Sequence, residues 1–417
     1  MMDLLDFLGH SPLSFHAAAN IVHDLQTCGY EPLSEKKPWK LIPGGKYFIS
    51  RNLSSVIVFT VPESKLTGFD IALSHLDSPG LRLKCHSLCH KANTLVAPVE
   101  RYSKNIDSTW LDHPLTVAGR VVTNDLQEHL ICFPEPMAVI PNLAIHLNRE
   151  VNKGTEYNPQ TQLSALLGNI TPEDFVEAVA SLAGCSASDI ADMELGLADA
   201  CGPTIVGLKH DLIVSSRLDN LLAAHAMLSA FCNKASVNSK NRCAVGFFAD
   251  NEEIGSGTPQ GASSSFLRDS LERIIVATNG SREDFFIALA ESRIVSVDAA
   301  HAYHPNYPEK YDATTSPMIN GGVVLKKNAN GSYATNAVTA TMVMNLCESL
   351  NIPIQHFLIR SDMPCGSTVG PMTARLLGIP AADIGNAMWA MHSVRETAGI
   401  QDQKWMTALL SAFLSNE

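Results

Sequence analysis

The sequence predicts an α/β fold: a mainly parallel central sheet flanked by helices, interrupted by a smaller β-rich block. Two observations carry this expectation. From Leu208 onward, short apolar runs alternate with polar clusters and helical stretches, as in 211–215 then 221–231, 243–249 then a Gly/Ser loop, 293–297, 354–359 and 387–391. Such alternation builds parallel strands whose connecting helices cover the sheet faces. From about His86 to Gly207 the texture changes to frequent Pro and Gly with short strand-like pieces, such as 115–122 and 130–133. The chain therefore divides into an α/β unit formed by 1–85 and 208–417 and an inserted β-rich unit, 86–207.

The remaining elements follow from the same patterns. Residues 4–28 have helical spacing and lead into Gly29, and the runs VIVFTV (56–61) and DIALS (70–74) read as buried strands. A length of 417 residues exceeds a single common-sized domain, and 46% hydrophobic against 17% charged residues leaves ample material for two cores. No apolar run approaches the roughly 20 residues that span a bilayer, and the start MMDLLDFLGH lacks the basic flank of a signal peptide. The expectation is a cytoplasmic chain with no membrane partner. Its ten cysteines, without a C-x-x-C pair, are expected to be reduced and mostly buried. A net charge of −12 without a Lys/Arg cluster argues against nucleic acid and means that an anionic substrate needs a local cation.

Five metal-ligating side chains lie at or just past the ends of expected core strands: His75, Asp219, Glu253, Asp298 and His392. Open α/β sheets bind ligands outside the carboxyl ends of their strands, so residues far apart in sequence can converge there. Two imidazoles and three carboxylates suit a pair of divalent cations such as Zn²⁺, Mn²⁺ or Co²⁺. A carboxylate bridging two such ions would hold a water between them and acidify it. Glu252 precedes Glu253, which offers one carboxylate to the metal and one, unligated, as a general base. The i, i+2 spacing of His75 and Asp77 would let Asp77 accept the second ring N–H of His75. Singly, each has an ordinary explanation; Asp219, for example, also reads as a helix N-cap. Five such coincidences at one end of a sheet point to a site.

The segments SHLDSPGLRLK (74–84), SSRLDNL (215–221), DNEEIGS (250–256), VDAAHAYHPNYPEKY (297–311), SDMPCGSTVGP (361–371) and AMHSVRE (390–396) resemble, in order, the M18 metallopeptidases, the aspartyl aminopeptidase family. The resemblance implies a zinc-peptidase domain interrupted by a β-rich domain used in oligomerisation, and a homo-oligomer, the hollow dodecamer of that family. It implies two Zn²⁺ per subunit, with His75 and Asp298 on one, Glu253 and His392 on the other and Asp219 bridging. Glu252 falls at the general base and Asp77 at the residue orienting the first histidine. Lys326 falls at a lysine that pairs with an acidic N-terminal side chain, His301 at a histidine near the substrate, and His146 at one that reaches a neighbouring subunit's site.

The implied reaction is removal of the N-terminal residue from peptides, with acidic (Asp/Glu) N-termini preferred. Two departures bear on that preference. Tyr102-Ser103-Lys104 and Trp110-Leu111-Asp112-His113 stand where relatives tend to carry Tyr-Gly-Gly and Trp-Phe-Asp-Arg, and Tyr311 and Thr315 stand where they carry histidines. A non-glycine at a left-handed position would be strained, so the loop before Trp110 is expected to differ in shape. The competing readings are a related dinuclear hydrolase such as a deacylase or carboxypeptidase, an aminopeptidase of broader specificity, and a non-catalytic assembly protein. An unligated base at Glu252 counts against the last, because a structural metal site needs none.

Overall fold

The computed structural model describes residues 1–233 and 241–415. Its centre is a nine-stranded sheet in the order Glu31–Pro32, Lys46–Arg51, Ser55–Thr60, Arg242–Ala249, Gly68–His75, Arg293–Val297, Ala381–Gly385, Val323–Lys326, Ile354–Phe357. Among the described residues, five of its eight pairings are parallel, including the three around Gly68–His75 and Arg293–Val297. Both faces are covered, and the side chains of one strand divide between them by the period of two. Val56 and Val58 enter one core with Ile21, Leu221 and Leu410, while Ile57 and Phe59 enter the other with Phe266, Phe285 and Leu377.

Among the described residues three further sheets accompany the central one, and two of them bear on the site. Glu128–Cys132, Leu115–Thr123, Ile190–Asp199, Gly80–Leu83 and Val99–Tyr102 form an antiparallel sheet. With the helix Pro172–Ala183, it closes a separate core around Trp110, Val117 and Phe175. A small sheet joins Thr204–Val206, Leu212–Ser215, Glu396–Gly399, Ala387–Trp389 and Ala300–His301. Gly80–Leu83 pairs with Val99–Tyr102 in the antiparallel sheet, and Thr204–Val206 pairs with Leu212–Ser215 in the small one.

Several sequence-based expectations change. The expected helix 4–28 is two helices, Leu4–Gly9 and Ser14–Thr27, separated by a break that contains Pro12, as expected of a residue without an amide hydrogen. Residues 211–215 and 387–391 were expected as core strands, but Leu212–Ser215 and Ala387–Trp389 belong to the small sheet. The core strand in that part of the chain is Ala381–Gly385, whose short all-buried run offers no alternation to read. Cys28 and Cys232 form a disulfide with Cα atoms 5.4 Å apart, so the ten cysteines are not all reduced. Nor are the others mostly buried: Cys243 and Cys347 are, whereas Cys132 and Cys201 are exposed. A pair 204 residues apart leaves no local signal. No helix among the described residues is long and apolar enough to cross a membrane.

Candidate metal centre

The strand Gly68–His75 is buried along its whole length between Arg242–Ala249 and Arg293–Val297. His75 is therefore delivered at the middle of the sheet edge with only 1% of its surface exposed. Its neighbour Arg242–Ala249 runs on through Asp250 and a left-handed Asn251 (φ +63°) into a short 3₁₀ turn carrying Glu252 and Glu253. Arg293–Val297 ends at Asp298, whose amide donates to Ile384 O at 2.9 Å. Gly385 lies against Asp298 so closely that a Cβ there would stand 1.8 Å from the Asp298 carbonyl oxygen, so glycine is the residue that permits this approach.

Asp219 and His392 arrive from the small sheet, past Leu212–Ser215 and Ala387–Trp389. Asp219 is not an N-cap. It sits just inside the helix Leu218–Cys232 with non-helical dihedrals, a cis bond to Asn220 and no side-chain capping bond. Glu396 connects these two segments. Its buried carboxylate accepts from Asp219 N at 2.9 Å and from His392 N at 2.7 Å, and burial raises it to about 8.

The five expected ligands converge. His75 Nε2 is 3.5 Å from Asp219 Oδ1 and 3.6 Å from Asp298 Oδ1. His392 Nε2 is 3.5 Å from Asp219 Oδ2 and 3.4 Å from Glu253 Oε1. These gaps exceed ordinary hydrogen bonds of roughly 2.7–3.2 Å. They match the edge of a coordination polyhedron, because metal bonds of roughly 2.0–2.1 Å at tetrahedral angles set ligand atoms about 3.4 Å apart. Asp219 Oδ1 is also buried with no hydrogen-bond partner. An orphaned acceptor in so acidic a pocket is the signature of a cation-binding donor set, and the residues fit zinc.

Electrostatics lead the same way. Burial would lower His75, but Asp219, Asp298 and Asp77 raise it well above its ordinary value. His392 is likewise raised to about 11, with Asp219 and Glu253 outweighing burial. Glu252 is pushed up to about 8, first by burial, with Asp298, Glu253 and Asp77 adding to it and His75 opposing. Carboxylates so crowded and dry attract either protons or metal cations.

Asp77 acts differently from the expectation. His75 Nδ1 donates to the Asp77 backbone oxygen at 3.0 Å, while the Asp77 carboxylate lies at 3.5 Å. That carboxylate instead accepts from the amides of Glu252 and Glu253, each at 3.0 Å, and from the Tyr102 hydroxyl at 2.7 Å. It therefore fixes the backbones of Glu252 and Glu253 together.

Among the residues expected at the substrate, Lys326 is not solvated: only 1% of it is exposed. Its Nζ donates to Ala299 O at 3.1 Å, lies 3.8 Å from Asp298 Oδ2 and sits over the Tyr333 ring. His301 stacks edge-on against Phe357 and lines a cavity of about 240 Å³ with Tyr311, Arg360 and Met363. Thr315 turns its hydroxyl to Asp312. His146 is exposed in a turn after Ile140, and among the described residues no hydrogen bond or ion pair joins it to the cluster. His113 bonds one oxygen of Asp199 at 2.6 Å while Arg395 holds the other at 2.6 Å, which ties the second sheet to the segment carrying His392.

Sequence reasoning missed Glu396, Tyr102, Lys104 and Gly385 as supports of this centre. Glu396 closes the AMHSVRE motif and so could have been found. Lys104 acts through its carbonyl, which accepts from His392 Nδ1 at 2.9 Å, and a backbone contact leaves no mark on residue type.

Comparison with known proteins gives the family. A family model described as aminopeptidase I zinc metalloprotease (M18) matches residues 7–414. The chain is 39% identical over 425 residues to a probable M18 family aminopeptidase 2 of Pseudomonas savastanoi pv. phaseolicola, covering 99% of this chain and 97% of that protein. Its fold is similar to that in the cryo-EM structure of the Ape4 and Nbr1 complex, with TM-score 0.95 and 35% identity over 99% of this chain and 85% of that one. It is also similar to the S. cerevisiae mApe1 dodecamer structure, with TM-score 0.87 and 28% identity over 98% and 95%. With a donor set suited to zinc and relatives matched from end to end, the chain belongs to the M18 family of zinc metalloproteases, the aminopeptidases.

Proposed function

We propose that this aminopeptidase works with two metal ions: one held by His75 and Asp298, the other by Glu253 and His392, with Asp219 between them. The observation that carries this reading is the division of Asp219, whose two oxygens face two different histidines at 3.5 Å each. When bound, such a pair of ions supplies an acidified water and electrophilic anchors for the free amine and the scissile carbonyl. The chain's own residues do the rest. Glu252 takes a proton from the attacking water and delivers it to the leaving amine, a role suited to an unligated carboxylate beside the ligand set. Asp77 holds Glu252 by its amide, and His75 is held through Nδ1 so that Nε2 faces the cluster.

The proposed substrates are peptides with an acidic N-terminal residue. In an acidic chain, Lys326 is a buried cation beside Asp298, and its single hydrogen bond to Ala299 O leaves ammonium donors for a carboxylate. Activity across dipeptides differing in the first residue, with free and blocked amines, tests the proposal using zinc-reconstituted protein. The expected result is turnover that needs the free amine and is fastest for Asp and Glu. Cleavage of blocked peptides would point to a deacylase, and a flat profile to a broad aminopeptidase.

The inserted unit, 86–207 as read from the sequence, is proposed to drive assembly into a homo-oligomer like the mApe1 dodecamer. Leu143, Ile145 and Leu147 are exposed there around His146, and apolar exposure of this kind marks association surfaces. In that assembly His146 would approach a neighbouring subunit's site. Light scattering that finds a monomer would remove this part of the reading.

A further inference from the structure

The strand Val99–Tyr102 ends beside the metal cluster, and three consecutive residues there touch three different site residues. The Tyr102 hydroxyl donates to Asp77 Oδ2 at 2.7 Å, the Ser103 hydroxyl donates to Glu253 Oε2 at 3.0 Å, and the Lys104 carbonyl accepts from His392 Nδ1 at 2.9 Å. In an extended strand, successive side chains point to opposite faces. Two neighbours can reach one site only if that alternation is broken. Ser103 breaks it with φ +63°, a left-handed conformation that a residue with a Cβ adopts at some cost. The loop thus holds an unfavourable backbone conformation at the residue whose hydroxyl reaches a metal-ligating carboxylate.

The two oxygens of Glu253 have different partners. Oε1 lies 3.4 Å from His392 Nε2, on the side where the ion would sit, while Oε2 is occupied by Ser103. A carboxylate held in this way presents one oxygen to the metal, and a hydroxyl donor lowers the freedom of its side chain to rotate both oxygens inward or swing away.

We propose that Ser103 is a positioning residue for metal retention: its hydroxyl, aimed by the left-handed backbone, fixes Glu253 as a one-oxygen ligand beside His392. This rests on the two-metal reading above. The role belongs to the side chain, and the backbone argument allows the two to be separated. Glycine removes the hydroxyl and relieves the backbone, whereas alanine removes the hydroxyl and keeps the backbone cost.

The experiment measures Zn²⁺ stoichiometry and the transfer of Zn²⁺ to a chromophoric chelator for wild type, S103G and S103A, together with melting of the metal-stripped proteins. Loss of an outer-shell partner weakens metal binding by roughly 10–100-fold. Both variants are expected to give up one of two Zn²⁺ ions that much more readily, with metal-stripped S103G melting at or above wild type and S103A below it. If S103G keeps both ions as wild type does, or only S103A loses metal, the proposal is overturned. It is also overturned if metal-stripped S103G melts below wild type, because the loss would then be structural. If wild type itself holds a single Zn²⁺, the two-metal reading fails. Ser103 retains its role in that case when S103G weakens the single ion tenfold or more, and loses it when S103G does not.

Discussion

Glu252→Gln separates proton transfer from metal binding. Glu252 is anchored through its backbone, its amide donating to Asp77 Oδ1 at 3.0 Å, so a glutamine of the same size keeps that anchor. The close contacts among the five ligands run through His75, Asp219, Asp298, Glu253 and His392, and the Glu252 carboxylate, within 4.8 Å of His75 and Glu253, is not one of these pairs. Metal content should therefore stay at the wild-type value. A positioned general base contributes about 10²–10⁴ in rate, or roughly 3–5 kcal/mol of barrier, so kcat should fall by that factor while KM moves little. Steady-state kinetics on a free dipeptide, paired with metal analysis of the same sample, measures both. The same variant carries a pH signature in the metal-stripped protein. Burial raises Glu252 from 4.5 to about 8, so the folded state favours the protonated carboxyl. Its contribution to stability is fully present below the unfolded value and is lost as pH rises toward 8. The melting temperature of stripped wild type should drop increasingly below that of stripped Glu252→Gln between pH 5 and 8. Turnover within threefold of wild type, or metal lost along with activity, would refute the assigned role.

Three further outcomes follow from the geometry. Gly385→Ala places a Cβ 1.8 Å from the Asp298 carbonyl oxygen, where only a backbone shift can make room. Calorimetry and metal analysis should show a loss of about 1–3 kcal/mol of stability, the usual cost of overpacking, together with weaker zinc binding. Lys326→Met should lower kcat/KM for Asp- and Glu-initiated peptides by about 10–100-fold, the worth of a hydrogen bond to a charged group, and spare Ala- and Leu-initiated ones; an equal loss for all would assign Lys326 to holding Asp298. Chelation of the wild type should lower its melting temperature, with zinc restoring it in proportion to the logarithm of free metal, because the orphaned Asp219 Oδ1 and its neighbouring carboxylates lose their counter-charge.

Much of this centre is legible in the chain itself. An apolar strand followed by a ligating side chain is a local pattern, and His75, Glu252-Glu253 and Asp298 stand at the ends of three neighbouring strands of the central sheet. The alternation of strands and helices likewise announces an α/β core, because it reflects which face of each element must be buried. What sequence could not specify is long-range. Asp219 and His392 hang from a separate small sheet, and only the folded chain brings Glu396 under both of their amides. The burial of Lys326 depends on the neighbours of its strand rather than on lysine's own preference for water. The roles of Lys104 and Gly385 lie in a carbonyl and a missing side chain. Side-chain chemistry and local period are properties of a sequence, so they were enough to single out the ligating residue types and the Glu252-Glu253 pair. Which oxygen faces which histidine, and what holds each one there, depends on contacts between segments as much as 288 residues apart, and those exist only in the tertiary structure.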